Sequence, residues 1–271
     1  MSPFRQLVAH ASHRPPLGTW IMSASALVAE AVGHSGFDWG VVDMEHSPLD
    51  LGTTVAMLQA IAGTRMLPVL RVTWNDTVTI KRVLDAGAQT LLVPFVQNAD
   101  EARRAVAATR YPPQGVRGMG GMGRANRFGT LPNYVAEAAR DLSVIVQLET
   151  PQAIDQLEAI AAVDGVDALF IGPADLSATM GHVGQPTHPA VMSVMSDAAQ
   201  RCRALRKPIG TIGGTLDVVA QYRAAGYDFL AISTDIGLMV GAAQAAIASL
   251  QARGAEQVHT LSGGTKGPAT D

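Results

Sequence analysis

SVIVQLETPQAIDQLEAIAAVDGVDALFIGPAD, running from Ser143 to Asp175, joins an apolar run ending in Glu149 to a second one followed by Gly172-Pro173-Ala174-Asp175. Each run is short, almost wholly hydrophobic and bounded by turn or cap chemistry, the pattern of a parallel strand buried on both faces. Between them Thr150-Pro151 sets a capping hydroxyl before a proline at the first helical position. The stretch predicts strand, helix, strand, and consecutive strands of a parallel barrel are neighbours. Glu149 and Asp175 then emerge side by side on one rim, where both can reach one cation.

Outward from this unit the rhythm repeats. Strands are predicted at Gly18–Ile21, Trp39–Asp43, Met66–Arg71, Thr90–Val93, Leu142–Leu148, Ala168–Ile171, Pro208–Thr211 and Phe229–Ser233. Amphipathic, alanine-rich helices are predicted at Asp50–Ala62, Asn98–Arg110, Thr150–Val163, Pro189–Leu205 and Thr215–Ala225, with Gly87 and Gly226 placed to end helices. About eight βα units argue an α/β fold of the (β/α)8 TIM-barrel type. An open doubly wound sheet is the alternative, but no Gly-x-Gly-x-x-Gly follows the first strand.

The chain has 271 residues, of which 48% are hydrophobic and 16% charged, enough for one large core. A single domain is expected over residues 1–253. From Gly254 onward the sequence is polar and of low complexity, a flexible tail (254–271) that excludes His259 from any site. Lys+Arg 20 against Asp+Glu 23 gives a net charge of −3, and no basic block offers a surface to nucleic acid. Cys202 is the only cysteine, which excludes an intrachain disulfide. The start, with Arg5, His10, His13 and Arg14, lacks the apolar core of a signal peptide, and no run is long enough to cross a bilayer. A cytoplasmic protein without a membrane partner is expected.

Chemistry in such a barrel gathers at the C-terminal ends of the strands. The second strand ends in Asp43-Met44-Glu45-His46, the third in Arg71, the fifth in Gln147-Leu148-Glu149 and the sixth in Gly172-Pro173-Ala174-Asp175, all on one rim. Asp175 taken alone has a second reading as a helix cap, and Arg71 one as the partner of an acid. Glu149 is harder to explain away, because an unpaired charge at the end of an apolar strand is costly. His46 shares a short turn with Asp43 and Glu45, and a carboxylate that orients an imidazole makes a base suited to neutral pH. The glycine-rich stretch Tyr111–Leu131 carries Arg117, Arg124 and Arg127; it reads either as an anion-binding loop or as a flexible connection or subunit contact.

Carbon–carbon lyases on barrels use a lysine Schiff base or a metal that polarises a ketone. The lysines are Lys81 inside a helical pattern, Lys207 ahead of its strand and Lys266 in the tail, none of them a credible nucleophile. The metal route remains.

Val42-Asp43-Met44-Glu45-His46-Ser47-Pro48, Pro68-Val69-Leu70-Arg71, Leu84–Pro94, Arg110-Tyr111-Pro112-Pro113, Gly115-Val116-Arg117-Gly118, Gln147–Thr150 and Phe170–Ser177 together resemble the HpcH/HpaI aldolases, class II pyruvate aldolases of the 4-hydroxy-2-oxoheptanedioate and 2-keto-3-deoxy-sugar-acid type. The resemblance runs from about Arg5 to Gln251. It implies reversible retro-aldol cleavage of a 4-hydroxy-2-oxo acid to pyruvate and an aldehyde, through a metal-stabilised pyruvate enolate. It implies Glu149 and Asp175 as ligands of Mg²⁺, Mn²⁺ or Co²⁺, and His46 as base. Arg71 would stabilise the keto oxygen, and Gln147, Gly172, Pro173, Ala174, Asp175 and Ile212 would surround the pyruvate carboxylate. The family pattern makes Asp85 the partner of the histidine, although Asp85 precedes its strand, nominally at the opposite rim, so that the contact requires a bend in the chain or another route such as a neighbouring subunit; Asp43 is nearer in sequence.

The resemblance also implies a homo-hexamer, a trimer of dimers, in which the last helix, Ile236–Leu250, packs on a neighbouring subunit. Small molecules are the expected partners: pyruvate or hydroxypyruvate plus an aldehyde. Where family members read Gly-Val-Gly-Ser-Ala-Leu-Ala-Arg, this chain has the shorter Gly118-Met119-Gly120-Gly121-Met122-Gly123-Arg124, so the aldehyde is not carried over. A malyl- or citryl-CoA type lyase would need more nucleotide-binding surface than the chain has beyond the barrel. A non-catalytic metabolite-binding homologue would be expected to lose His46.

Overall fold

The computed structural model describes residues 1–9 and 14–262. Eight strands, β1 (Leu17–Ile21), β2 (Trp39–Asp43), β3 (Leu67–Arg71), β4 (Thr90–Val93), β5 (Ser143–Leu148), β6 (Ala168–Ile171), β7 (Ile209–Gly213) and β8 (Phe229–Thr234), lie in sequence order and close into a barrel. Every pairing is parallel, with β8 bonded back to β1. The strands stand where the hydrophobic runs predict them, their ends shifted by no more than a residue or two.

The helices are α1 (Pro3–Ala9), α2 (Ala26–His34), α3 (Leu51–Ile61), α4 (Thr77–Asp85), α5 (Ala99–Thr109), α6 (Tyr134–Asp141), α7 (Pro151–Asp155), α8 (Leu157–Ala161), α9 (Pro173–Thr179), α10 (Pro189–Leu205), α11 (Leu216–Ala225) and α12 (Asp235–Ser262). Ser25, Asp50, Asp76, Asn98, Thr150 and Thr215 each accept a backbone N–H at the helix start, satisfying one of the donors a helix leaves unpaired. Gly87 and Gly226, at φ 99° and 100°, take the left-handed turn after α4 and α11.

Two apolar layers follow from the strand pleat. One lies between strands and helices; the other fills the barrel with Trp20, Trp39, Val69, Leu92, Ile145, Phe170 and Phe229. α1 plugs the N-terminal end, where the fully buried Phe4 meets Phe229 edge-on at 5.3 Å. Gly210 makes room for this aromatic layer, because a Cβ there would fall 2.2 Å from the Phe229 ring.

Two boundaries differ from expectation. The predicted Thr150–Val163 helix is divided into α7 and α8 by Gln156, whose N–H bonds the carbonyl of Ala153 and so breaks the α-helical register. The other lies near the C-terminus, where α12 runs on past Gly254 to Ser262. Side chains beyond Ala252, including His259, and residues 10–13 and 263–271, which include His10, His13 and Lys266, lie outside the described residues. Over the described part, α12 exposes Ile236, Leu238, Met239, Val240, Ile247 and Leu250. Among the described residues no helix is long and apolar enough to cross a membrane.

Gly210→Ala is expected to destabilise the barrel by about 1–3 kcal/mol, the usual cost of overpacking. Urea unfolding followed by circular dichroism checks this, and a midpoint equal to the wild type contradicts the packing assignment.

Candidate active site

Asp43 and Arg71 are paired positions at the ends of β2 and β3. Arg71 donates from Nε to Asp43 Oδ1 at 2.8 Å and from Nη2 to Oδ2 at 2.6 Å, a two-pronged ion pair buried on both sides. Burial works against the charge on Arg71, but its hydrogen bonds to Asp43, and then the charges of Asp43, Glu45 and Glu149, carry its pKa above the usual value. The guanidinium carbon lies 5.6 Å from the Trp20 ring centroid. Asp43 Oδ1 also accepts the backbone N–H groups of Glu45 (3.0 Å) and His46 (3.4 Å), and the Ser47 hydroxyl donates to the Asp43 carbonyl.

That turn sends its two functional side chains in different directions. Glu45 lies back over the site, with Oε2 2.9 Å from Arg71 Nη1 as an ion pair not aligned as a hydrogen bond. Burial pushes its carboxyl up to about 7; Arg71 opposes the rise, and Asp43 and Asp175 add to it. His46 points outward, its side chain 59% exposed, with Nε2 3.8 Å from Glu45 Oε2. Glu45 is therefore the acid beside the imidazole within the chain. Asp43 is not, because both its oxygens are committed to Arg71 and the turn.

Glu149 follows β5 and is 2% exposed. Its Oε1 accepts the Phe95 N–H at 2.8 Å and its Oε2 accepts Gln147 Nε2 at 2.6 Å. Burial pushes this carboxyl up to about 7; the Gln147 hydrogen bond opposes the rise, Asp175 and Glu45 add to it, and the Phe95 amide opposes it. Asp175 sits in the first turn of α9, behind the N-cap Gly172 and the first-turn Pro173. Gly172 has no room for a side chain, since a Cβ would lie 2.6 Å from Glu149 Oε2 and 3.0 Å from Gln147 Nε2. Gln147 Oε1 is buried without a hydrogen-bond partner. That free atom is an acceptor, suited to a water or hydroxyl; a carboxylate would have to use the second Nε2 proton.

Ile212 on β7 lines an adjoining, mainly apolar pocket of about 490 Å³ together with Pro173, Ala174, Val218 and Tyr222. A wider cavity of about 1200 Å³, between Tyr111, Asn126 and Tyr134, contains none of the site carboxylates.

Three expected site residues do not join this group within the chain. Asp85 ends α4, the helix that carries the chain back to the start of β4, so it lies at the N-terminal rim. There Arg117 donates to Asp85 Oδ1 at 2.7 Å and to the Tyr134 hydroxyl at 3.3 Å, with its guanidinium 4.6 Å from the Tyr111 ring centroid. Arg124 donates to the Ala86 carbonyl at 3.1 Å. The glycine-rich stretch thus spends Arg117 and Arg124 on the end of α4. Of the lysines, Lys81 packs beside Gly118, and Lys207 Nζ donates to the Val166 carbonyl at 2.6 Å; neither approaches Glu149. Sequence alone shows Glu45 in the His46 turn but not its burial. Phe95 acts through its backbone and leaves no signal in residue type.

The HpcH/HpaI aldolase/citrate lyase family model matches residues 17–242. A 2-dehydro-3,6-dideoxy-6-sulfogluconate aldolase from Pseudomonas putida is 48% identical over 89% of this chain and 95% of its own length. A 4-hydroxy-2-oxo-heptane-1,7-dioate aldolase from Salmonella arizonae is 48% identical over 86% of this chain and 89% of its own. Among solved structures, an HpcH/HpaI aldolase/citrate lyase family protein from Burkholderia cenocepacia superposes with a TM-score of 0.89 at 37% identity, covering 93% of this chain and all of that one.

Glu45 and Glu149 titrate near 7 in the folded chain, against an ordinary value of 4.5. Between those values the folded state holds protons that the unfolded state has released, so stability falls as pH rises from about 4.5 to about 7 and then levels off. Thermal melts of metal-free protein are expected to show this fall in the wild type and a flatter profile in the Glu45→Gln/Glu149→Gln double variant. Equal profiles would contradict the burial assigned to the two acids.

Proposed function

The chain belongs to the HpcH/HpaI aldolase/citrate lyase family and is a carbon–carbon lyase, and from that premise we propose that it cleaves 4-hydroxy-2-oxo acids reversibly into pyruvate and an aldehyde. The observation that carries this reading is Glu149: a buried carboxylate held by Gln147 and Phe95, with Asp175 and Glu45 acting on its charge, across from the fixed cation Arg71.

A divalent cation, Mg²⁺, Mn²⁺ or Co²⁺, is part of the proposal, with Glu149 and Asp175 as its protein ligands. The donor set supports this. Asp43, Glu45 and Glu149 act on one guanidinium, the charge of Asp175 acts on Glu45 and Glu149, and Gln147 offers a buried acceptor with no partner. Among the described residues no group of three or more His, Cys, Asp or Glu is arranged to hold a metal. A pair of carboxylates leaves the other positions to water and substrate, which suits a hard ion that keeps much of its hydration. When bound, the ion supplies Lewis acidity to a keto oxygen.

The chain's own residues supply the remainder. In the cleavage direction His46 takes the proton of the C4 hydroxyl, and the O–H electron pair becomes the aldehyde C=O bond. The C3–C4 pair moves into a C2–C3 double bond, and the former carbonyl pair comes to rest on the keto oxygen. Arg71 faces that developing charge through Nη1, the nitrogen not hydrogen-bonded to Asp43. Protonation at C3 then yields pyruvate. The Gly172–Asp175 segment and Ile212 bound the space assigned to the pyruvate half, and pyruvate or hydroxypyruvate is the nucleophile in the synthetic direction.

A homo-hexamer built as a trimer of dimers completes the proposal. The large apolar side chains exposed on the described part of α12 support burial of that helix against a neighbouring copy. In such an assembly Asp85 would reach a His46 only from another subunit.

Exchange of the pyruvate methyl protons in D₂O, followed by NMR, tests the chemistry. Metal-dependent exchange is expected, lost on chelation and in His46→Ala or Glu149→Ala; exchange indifferent to the chelator would sink the metal reading. Analytical ultracentrifugation tests the assembly: Met239→Glu with Ile247→Glu is expected to give smaller species, and an unchanged sedimentation coefficient removes α12 from the contact.

A further inference from the structure

The segment between β4 and α5 is bonded to the end of β5 at consecutive residues. The Phe95 N–H donates to Glu149 Oε1 at 2.8 Å, and the Val96 N–H donates to the Gln147 carbonyl at 3.0 Å. The Thr150 hydroxyl then bonds Gln97 Oε1 at 2.5 Å. In an extended chain successive N–H groups point to opposite sides, so two neighbours cannot both face β5. A turn at Phe95, with φ 55°, brings them to one side. Left-handed backbone is rare for a bulky side chain, costs of order 1–3 kcal/mol, and persists only where its surroundings hold it.

What holds it lies on the outer face. The Phe95 ring stacks on Trp74, with centroids 5.5 Å apart and planes at 26°. Trp74 stands on the loop after β3, which Asn75 Nδ2 ties to the Glu101 carbonyl of α5 at 3.0 Å. Glu101 Oε2 in turn accepts the Gln97 N–H at 2.8 Å. The strained residue is thus clasped by its ring on one side and by its amide on the other, and the amide lands on the buried acid proposed as a metal ligand. Gln147 holds the second oxygen of that acid, so the two donors together set the plane of the carboxylate.

We propose that Phe95 is a positioning residue: the Trp74 ring holds its backbone in the left-handed turn, and that turn aims the Phe95 N–H at Glu149 and pre-sets the carboxylate for a divalent cation. The inference rests on the metal reading of Glu149. Residues that orient a metal ligand typically change affinity by about 10–100-fold when altered. Asparagine tolerates the left-handed turn without help, so the Phe95→Asn variant should no longer need Trp74.

Isothermal titration of the full-length protein with Mn²⁺ tests this as a double-mutant cycle. Trp74→Ala in the wild-type background is expected to weaken binding by about tenfold. Phe95→Asn is expected to stay close to the wild type, and adding Trp74→Ala to Phe95→Asn to change little further. A Trp74→Ala variant that binds Mn²⁺ like the wild type, or one whose loss is the same in both backgrounds, overturns the proposal, because the ring would then act without reference to the turn at residue 95. Glu149→Gln separates the two levels. If it binds Mn²⁺ as well as the wild type, the metal reading fails and this inference with it; if it does not bind while the cycle shows no coupling, only the role of Phe95 fails. Thermal melts of the metal-free variants establish that each is folded.

Discussion

The buried pair between Asp43 and Arg71 is the interaction on which the C-terminal face depends. It joins the ends of adjacent strands, with Asp43 fully buried and both its oxygens engaged. Either charge alone would be untenable there: removing one partner of such a pair typically costs about 3–5 kcal/mol, because the other is left buried and uncompensated. The same carboxylate takes the N–H groups of Glu45 and His46, so the pair that closes the strand ends also sets the turn that follows. Glu45 is thereby laid back towards Arg71 while His46 is turned outward.

Around this pair the site holds more acid than base. Arg71 is the cation to which Asp43 and Glu45 are both tied, and its charge is felt as far as Glu149. Each acid is handled differently. Asp43 is paired with Arg71, Glu45 and Glu149 are pushed towards protonation by burial, and Asp175 stays exposed in the first turn of α9. The acids lie close together because the ends of β2, β5 and β6 fall on one rim. Gly172 preserves the gap, since any side chain at that position would occupy the space of the Glu149 carboxylate.

The opposite rim is organised by another guanidinium. Arg117 is wholly buried between Tyr111 and Tyr134 and bonded to Asp85, while Arg124 reaches the carbonyl of Ala86 just past α4. Cations at a helix C-terminus meet its unpaired carbonyls and negative pole. Asn126 ties the glycine-rich chain together, accepting the N–H groups of Gly123 and Gly129 and donating to the Gly121 carbonyl. The stretch that breaks the βα rhythm is thus anchored at the N-terminal rim by the buried Arg117 and Asn126, while most of its other residues face outward.

The sequence by itself determined the barrel, because apolar runs, capping residues and helix-ending glycines are local signals that agree over eight repeats. It also determined the rim: a residue at the end of a parallel strand has its position set by strand direction alone, and so Asp43, Arg71, Glu149 and Asp175 could be grouped before any contact was known. Tertiary structure alone decided the partnerships. Three acids lay within reach of His46 or Arg71 in the sequence reading, and only packing could allot Asp43 to the guanidinium and Glu45 to the imidazole, since burial and side-chain direction are properties of the closed barrel. Asp85, Arg117 and Arg124 stand apart from this rim within the chain for the same reason: each carries a charge suited to a site, yet the return path of α4 takes them to the other end. Phe95 was invisible for a simpler one. Its contribution is a backbone N–H, which every residue except proline carries, and only the fold shows where that N–H points.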